Sequence, residues 1–405
     1  MFCIVRIQLT TLNNPQFCSN CLYDNKHPFG LSFQEGVCSG CFTHSEKDTI
    51  NWGERESLLV DLISQTRKNK KSHYDCVVPV QGDAEDYYVV SKVLALNLNP
   101  LIVCVNDYYM NNIGWHNLHN LITHFDLDSL VYNPEINTYK EMVRTTLRKL
   151  DHILWPSIAL KSSFPVHIAK ERNIPLVVWG QNQAIEQVGK FSHTDSVEMS
   201  KWSRKEHDLF GYDVDKVIGS GAQIDIRNLN YYRYPNIKNL GHSKVKGIYL
   251  SNYFRWDPLY QNKKSVVQGF VPQHNSASFD IYERAGSSVY YEFHDLLKLQ
   301  RVGYRKVRDQ LSREVRHGRL DRQSALELEN HYNKSEVDIS GFFNWLGVTK
   351  SGVEWFVSKR LPKVKHLIGS SENKICQLPA DISGLLTNSD EPTREFVLFG
   401  KGVSL

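Results

Sequence analysis

The chain has little that would carry it into or across a membrane. No apolar run approaches the ~20 residues of a spanning helix, and the stretch from Met1 to Leu12 is short and interrupted by Arg6 and Gln8, so no secretory signal is read. No membrane span is expected, and the expected compartment is the cytoplasm. Internal repeats, low-complexity tracts and proline-rich linkers are missing too, so no repeat architecture is expected. Charge of one sign is scarce: the formal net charge is +4 over 405 residues, with basic and acidic residues interleaved except in short basic clusters at 67–71 and 301–319. That balance permits an anionic substrate but does not demand nucleic acid, and no nucleic-acid partner is expected. What remains is an ordinary globular composition, 41% hydrophobic, long enough for two or three domains with real cores.

Cysteine is sparse, eight in all, yet four are grouped as Cys18, Cys21, Cys38 and Cys41 in a C-x2-C-x16-C-x2-C pattern. This spacing falls inside that of structural zinc sites. Two residues between paired thiolates let a tight turn aim both sulfurs at one ion, and two such turns close a tetrahedron with no position left for substrate. Pro28, Gly30, Gly36 and Gly40 supply bends, and Phe17, Phe29 and Phe33 give the turns something to pack on. A disulfide pair, a redox motif or accidental spacing compete with zinc. Four matched cysteines favour the metal, because a redox motif expects one pair beside a βαβ pattern. Cys3, Cys76, Cys104 and Cys376 are scattered, two of them in strand-like apolar runs. His116 and His119 lack an acidic partner at helical spacing and read as helix-surface residues.

Beyond the cysteines, 54–71 has the apolar spacing of an amphipathic helix ending in lysines. From Tyr74 the pattern alternates: strand 76–80, helix 87–96, strand 101–105, helix 113–125, strand 129–132, helix 138–150, helix 166–172, strand 175–179. Alternation of this kind predicts an α/β fold, a largely parallel sheet with helices on both faces. Ligands in such sheets bind outside the carboxyl ends of the strands. The loop 81–86, the pair Asn106 and Asp107, and Gly180, Gln181 and Asn182 each follow a strand and are expected to converge on one crevice. The part from 218 onward reads as helical, with charged stretches at 290–316 and 321–332 and further helices at 335–346 and 351–360, the last capped by Ser351. The expected divisions are 1–52 for the cysteine module, 53–217 for the α/β domain and 218–405 for a helical substrate or partner domain. The last forty or so residues show no clear pattern.

The first strand runs through Val77-Val78-Pro79-Val80 into Gln81-Gly82-Asp83-Ala84-Glu85-Asp86-Tyr87, where an α/β nucleotide enzyme keeps its phosphate cradle. With the cysteine module ahead of it, this segment resembles the PP-loop ATP pyrophosphatases (HUP-like fold), and most closely the N-acetyl sugar amidotransferases of O-antigen and surface-sugar biosynthesis. Supporting features, in order, are Asn99-Pro100-Leu101, Ile113-Gly114 with Asn117-Leu118 and Asn120-Leu121, Gly180 to Asn182 with Glu186, Trp256-Asp257-Pro258, Phe279-Asp280 to Tyr282-Glu283, and His294-Asp295 through Gly303-Tyr304.

The loop departs from the family's Ser-Gly-Gly-x-Asp-Ser. Gln81 stands for Ser, Gly82 matches, Asp83 replaces the second Gly, Glu85 replaces Asp and Asp86 replaces the final Ser. A carboxylate about 4 Å from a phosphate oxygen is repelled by about 4 kcal/mol per charge pair at an effective dielectric near 20. A helix N-terminus returns only about 0.3 to 2 kcal/mol. Mg2+ bridging carboxylates to phosphates would reverse the sign. The plainer alternative is a polar helix cap.

The resemblance implies an ATP-dependent reaction that turns a sugar acetamido group into an acetamidino group through an adenylated imidate, with ammonia from a separate glutaminase. In that reading Gln81, Gly82, Asp83 and Ala84, with Asn106, Asp107 and Gly180, hold the nucleotide and Mg2+. Glu85, Asp86, Asn182 and Glu186 border the reacting centre, and Arg255 and Asp257 approach the sugar. Each of the last two has a structural alternative, Asp257 before Pro258 as a turn starter and Arg255 as an ion-pair partner. Glu186 has one as a helix-surface acid. The runner-up is an altered or inactive homologue serving as a zinc-stabilised scaffold in the same pathway; a third reading keeps the fold but acts on another amide or a modified nucleoside.

Overall fold

The computed structural model describes residues 15–68, 71–195, 202–219, 224–235, 245–274 and 276–369. Cys3, Cys376 and the patternless C-terminal stretch lie outside them. The cysteine module is a two-stranded antiparallel ribbon, β1 (Phe33–Gln34) and β2 (Val37–Cys38), followed by α1 (Ser39–Glu46) and α2 (Trp52–Arg67). Asn51 starts α2 by accepting from the Glu54 N–H at 3.3 Å, the N-cap bond that an Asn side chain makes well.

Then come β3 (Cys76–Val80), α3 (Ala84–Ala95), β4 (Pro100–Val105), α4 (Asn112–Phe125), β5 (Ser129–Tyr132), α5 (Ile136–Leu150), α6 (Trp155–Glu171), β6 (Leu176–Trp179), α7 (Gln183–Glu186), α8 (Val214–Ile218), β7 (Lys246–Tyr249) and α9 (Pro258–Val267). The strands form one parallel sheet in the order β5-β4-β3-β6-β7. Strand periodicity divides the core. Val77, Leu101, Val103 and Val105 face α5 and α6, while Cys76, Val78 and Val80 face α3 and α4. The expected parallel sheet with helices on both faces is therefore present. Its order reverses between β3 and β6, so the two strand ends diverge there and leave the crevice that such switch points create.

The C-terminal helices are α10 (Tyr291–Val302), α11 (Lys306–Arg316), α12 (Arg322–Tyr332), α13 (Ser340–Leu346) and α14 (Lys350–Arg360). Phe293, Phe342, Phe343 and Phe356 from this region share the core that holds Val77 and Val103. Among the described residues, no helix is long and apolar enough to cross a membrane.

Some elements differ from the sequence reading. β7 lies beyond 217, in the part expected to be helical; a run as short as Gly247-Ile248-Tyr249 gives no periodicity to read. The helix expected at 166–172 begins at Trp155, because Pro156 sits in its first turn, where a missing N–H costs nothing, and Pro165 is accepted inside a buried helix. The charged stretch 290–316 is two helices broken at Gly303, whose φ of 85° ends the first in a left-handed cap. Thr349, not Ser351, caps the last helix. Cys76 and Cys104 are buried in strands, and His116 and His119 are exposed on α4.

Candidate functional site

The four module cysteines are buried, with ligand atoms all within 4.8 Å of one another. Cys18 and Cys41 sulfurs stand 3.9 Å apart and those of Cys21 and Cys38 3.6 Å. Zinc–thiolate bonds of about 2.3 Å imply tetrahedral edges of about 3.8 Å, so the donor set fits a metal ion. Backbone N–H groups of Cys21 and Cys38 point at Cys18 Sγ, at 3.5 and 3.3 Å. Arg316, at the end of α11, reaches Cys38 Sγ at 3.7 Å and Cys21 Sγ at 3.9 Å while donating to the carbonyls of Glu186 and Gln187. One guanidinium thus ties the cluster, the β6 loop and the C-terminal helices together.

The loop after β3 turns at Gly82, with φ of 79°. A Cβ there would collide with the backbone of Leu118, so both the conformation and the close approach require glycine. The Asp86 carboxylate folds back over this turn and accepts the N–H groups of Gln81 at 2.7 Å and Asp83 at 2.9 Å. Glu85 instead crosses the switch point and accepts the Gln181 N–H at 2.7 Å. It packs so closely on Gly180 that a side chain there would strike the carboxylate. Burial pushes all three loop acids up, with Glu85 at about 7, Asp83 raised, and Asp86 raised well above the carboxylate range with Asp83 adding to it.

Glu85 therefore links stability to pH. Its folded value lies above the ordinary 4.5, so its contribution is complete below about 4.5 and lost as pH rises through about 7. Replacing it with Gln, which keeps an acceptor for Gln181, is expected to flatten the fall in melting temperature between pH 5 and 8. The gain at pH 8 is on the order of 2 kcal/mol, allowing for partial exposure. Thermal melts across that range check it.

Above these loops opens a cavity of about 650 Å3, lined by strand ends (Val80, Val105, Trp179, Tyr249), the cysteine module (His27, Phe29) and α10. Its size is that of a small-molecule site. Lys161, Arg284, Lys298, Arg301 and Lys306 face it, against the carboxylates of Asp86, Asp208 and Asp309. A second space of about 380 Å3 adjoins it beside Asp83, Glu85 and Glu186, sharing Lys161, Arg284 and Lys306. Trp179 and Tyr249, which both line the large cavity, stack on each other at 5.6 Å. Asn182 is 2% exposed and its amide Nδ2 has no hydrogen-bond partner. The site can accommodate an anion, a planar ring and an amide.

Gln81, Asp86, Gln181 and Asn182 line the large cavity, and Asp83, Ala84, Glu85 and Glu186 the smaller one. The others are placed differently. Asn106 donates to Asn133 at 2.8 Å and accepts from the Tyr108 N–H at 2.9 Å. Asp107 is held by Ser157 at 2.7 Å and Lys161 at 2.8 Å. These two shape the wall and aim Lys161, and neither lines the cavities. Glu186 is no surface acid. Lys47 reaches it at 2.5 Å and His193 at 3.1 Å, all nearly buried; burial alone would raise its carboxyl, but Lys47 and His193 hold it at about 2. Arg255 donates to the Lys47 carbonyl and pairs with Asp48, and Asp257 caps α9 and pairs with Arg319 at 3.0 Å. Neither is among the residues that line the two cavities. Lys161, Arg284 and His27 were not picked out from sequence, since no spacing joins them; the basic cluster at 301–319 was the one visible sign of this wall.

No curated protein sequence matches the chain. Among solved structures, the NH3-dependent NAD synthetase of Campylobacter jejuni aligns at 13% identity over 56% of this chain and 100% of that one, with a TM-score of 0.29. The NMN synthetase of Francisella tularensis aligns at 11% identity over 53% and 96%, with a TM-score of 0.28. Likenesses this weak carry no argument about this chain. The segment that supplies Arg284, Lys298, Arg301 and Lys306 to the cavity is more informative: residues 268–369 match the family described as LPS biosynthesis protein WbpG-like, C-terminal domain.

Proposed function

We propose that the chain is an ATP-dependent amidotransferase of surface-polysaccharide biosynthesis that converts the acetamido group of a sugar into an acetamidino group, with ammonia from a separate glutaminase. The observation that supports it best is that Lys161, Arg284 and Lys306, the first and last paired with Asp107, Glu283 and Asp309, line the same crevice at the strand ends as the acidic β3 loop. Such cations suit a phosphorylated ligand, and the loop carboxylates suit a hard metal ion. ATP and Mg2+, when bound, supply the AMP group that makes an amide oxygen a leaving group. Gln81, Gly82, Asp83 and Ala84, with Gly180, border the phosphates; Trp179 and Tyr249 offer a face for a ring, and the free Asn182 amide donates to the sugar amide. Glu186, Asn106 and Asp107 hold the walls in place. The cysteine cluster carries one structural zinc, and Phe29 and His27 bring its loop to the substrate.

A second reading, an altered homologue acting as a partner in the same pathway, is favoured by one observation. Asp86 and Glu85 already accept the backbone N–H groups of the two loops. Pyrophosphate release separates the two. With Mg-ATP, ammonium and UDP-linked acetamido sugars, the first expects sugar-dependent release; none above background across that panel supports the second.

A further inference from the structure

Two backbone N–H groups converge on one oxygen at the β3–α3 turn, those of Gln81 and Asp83 on Asp86 Oδ2, at 2.7 and 2.9 Å. Convergent amides at a strand-to-helix turn are the geometry that seats an anionic oxygen, and here the oxygen belongs to the chain itself. The seat faces the ligand space, because Gln81 and Asp86 line both cavities. A second feature points to a ligand: the Asn182 side chain, 2% exposed, lines the large cavity with its Nδ2 unpartnered. Arg284 Nε, on a residue that lines both cavities, has no hydrogen-bond partner either.

We propose that Asp86 is a built-in occupant of the anion seat, a competitor that a phosphate group must displace before it can bind the β3 loop. The inference rests on the nucleotide reading of this crevice and names the residue that sets its affinity for phosphate. An oxygen in the seat holds the loop folded in the absence of ligand, and it occupies the two N–H groups that a phosphate oxygen would need. Asp86→Ser takes the carboxyl oxygen out of the seat. Asp86→Asn leaves an oxygen on the amides and so keeps the seat filled.

The test is equilibrium binding of inorganic pyrophosphate, and separately of Mg-ATP, to the full chain as wild type, Asp86→Ser and Asp86→Asn. Melting temperatures establish that each is folded. Asp86→Ser is expected to bind both probes at least tenfold more tightly than wild type, with Asp86→Asn close to wild type. Unchanged or weaker binding in folded Asp86→Ser overturns the proposal. If Asp86→Ser does not fold, Asp86→Ala takes its place: tighter binding supports the proposal and unchanged binding overturns it. Sugar-dependent pyrophosphate release by wild type with no gain in the variants sinks this inference and leaves the amidotransferase reading intact. Tighter binding with no turnover in any form supports the inference while removing that reading.

Discussion

Cys38→Ser is expected to lower the melting temperature by more than 10 °C and to bring bound zinc from near one per chain to near zero. Structural zinc in small modules contributes about 10–16 kcal/mol of apparent folding free energy at neutral pH, comparable to the whole stability of a domain at about 5–15 kcal/mol. The module is not an appendage that can unfold alone. Arg316 bridges its sulfurs to the β6 loop, and a side chain at Gly40 or Gly189 would meet backbone of the other partner, so the module and that loop pack main chain against main chain. Because His27 and Phe29 line the large cavity, loss of the metal should also weaken ligand binding. Elemental analysis and thermal melts of wild type and variant check the prediction, and a chelator at elevated temperature should reproduce it.

Lys47→Met should be the next most damaging change. Lys47 and Glu186 side chains are 1% and 5% exposed, and removing one partner of a buried pair costs about 3–5 kcal/mol, because the other charge is left without compensation. Replacing both with apolar residues is often neutral, so Lys47→Met with Glu186→Leu should recover most of the loss, less the bond from Lys47 to the Trp256 carbonyl. The pH sign follows from Glu186, whose folded value of about 2 lies below the ordinary 4.5. Its contribution is present above about 4.5 and fades as pH falls toward about 2. Urea unfolding of the single and double variants at pH 7 and pH 4 measures both effects.

The sequence carried the sheet well and the site unevenly. Strands such as Cys76–Val80 and Pro100–Val105 are continuous apolar runs because both of their faces are buried, and runs bounded by polar loops are legible without a structure. The convergence of Cys18, Cys21, Cys38 and Cys41 was legible because two C-x2-C turns at this separation match the spacing of sites that could hold a metal. The partners of Asn106, Asp107, Glu186, Arg255 and Asp257 were not, because a polar or charged residue near a strand end reads the same whether it meets a ligand or another side chain. The partners Ser157, Lys47 and Arg319 lie 50, 139 and 62 residues away. Asp86 shows the limit most clearly. Its place in the loop was visible, but only the fold shows its carboxylate turned back onto Gln81 and Asp83.

The claim on which the account depends is that the crevice between the β3 loop and the wall of Lys161, Arg284 and Lys306 receives a phosphorylated ligand. A crystal structure grown in saturating Mg-ATP with a UDP-linked acetamido sugar tests it directly. Phosphate density is expected against those three cations, with the Asp86 side chain withdrawn from the Gln81 and Asp83 amides. A crevice without ligand, with Asp86 still bonded to both amides, would contradict it.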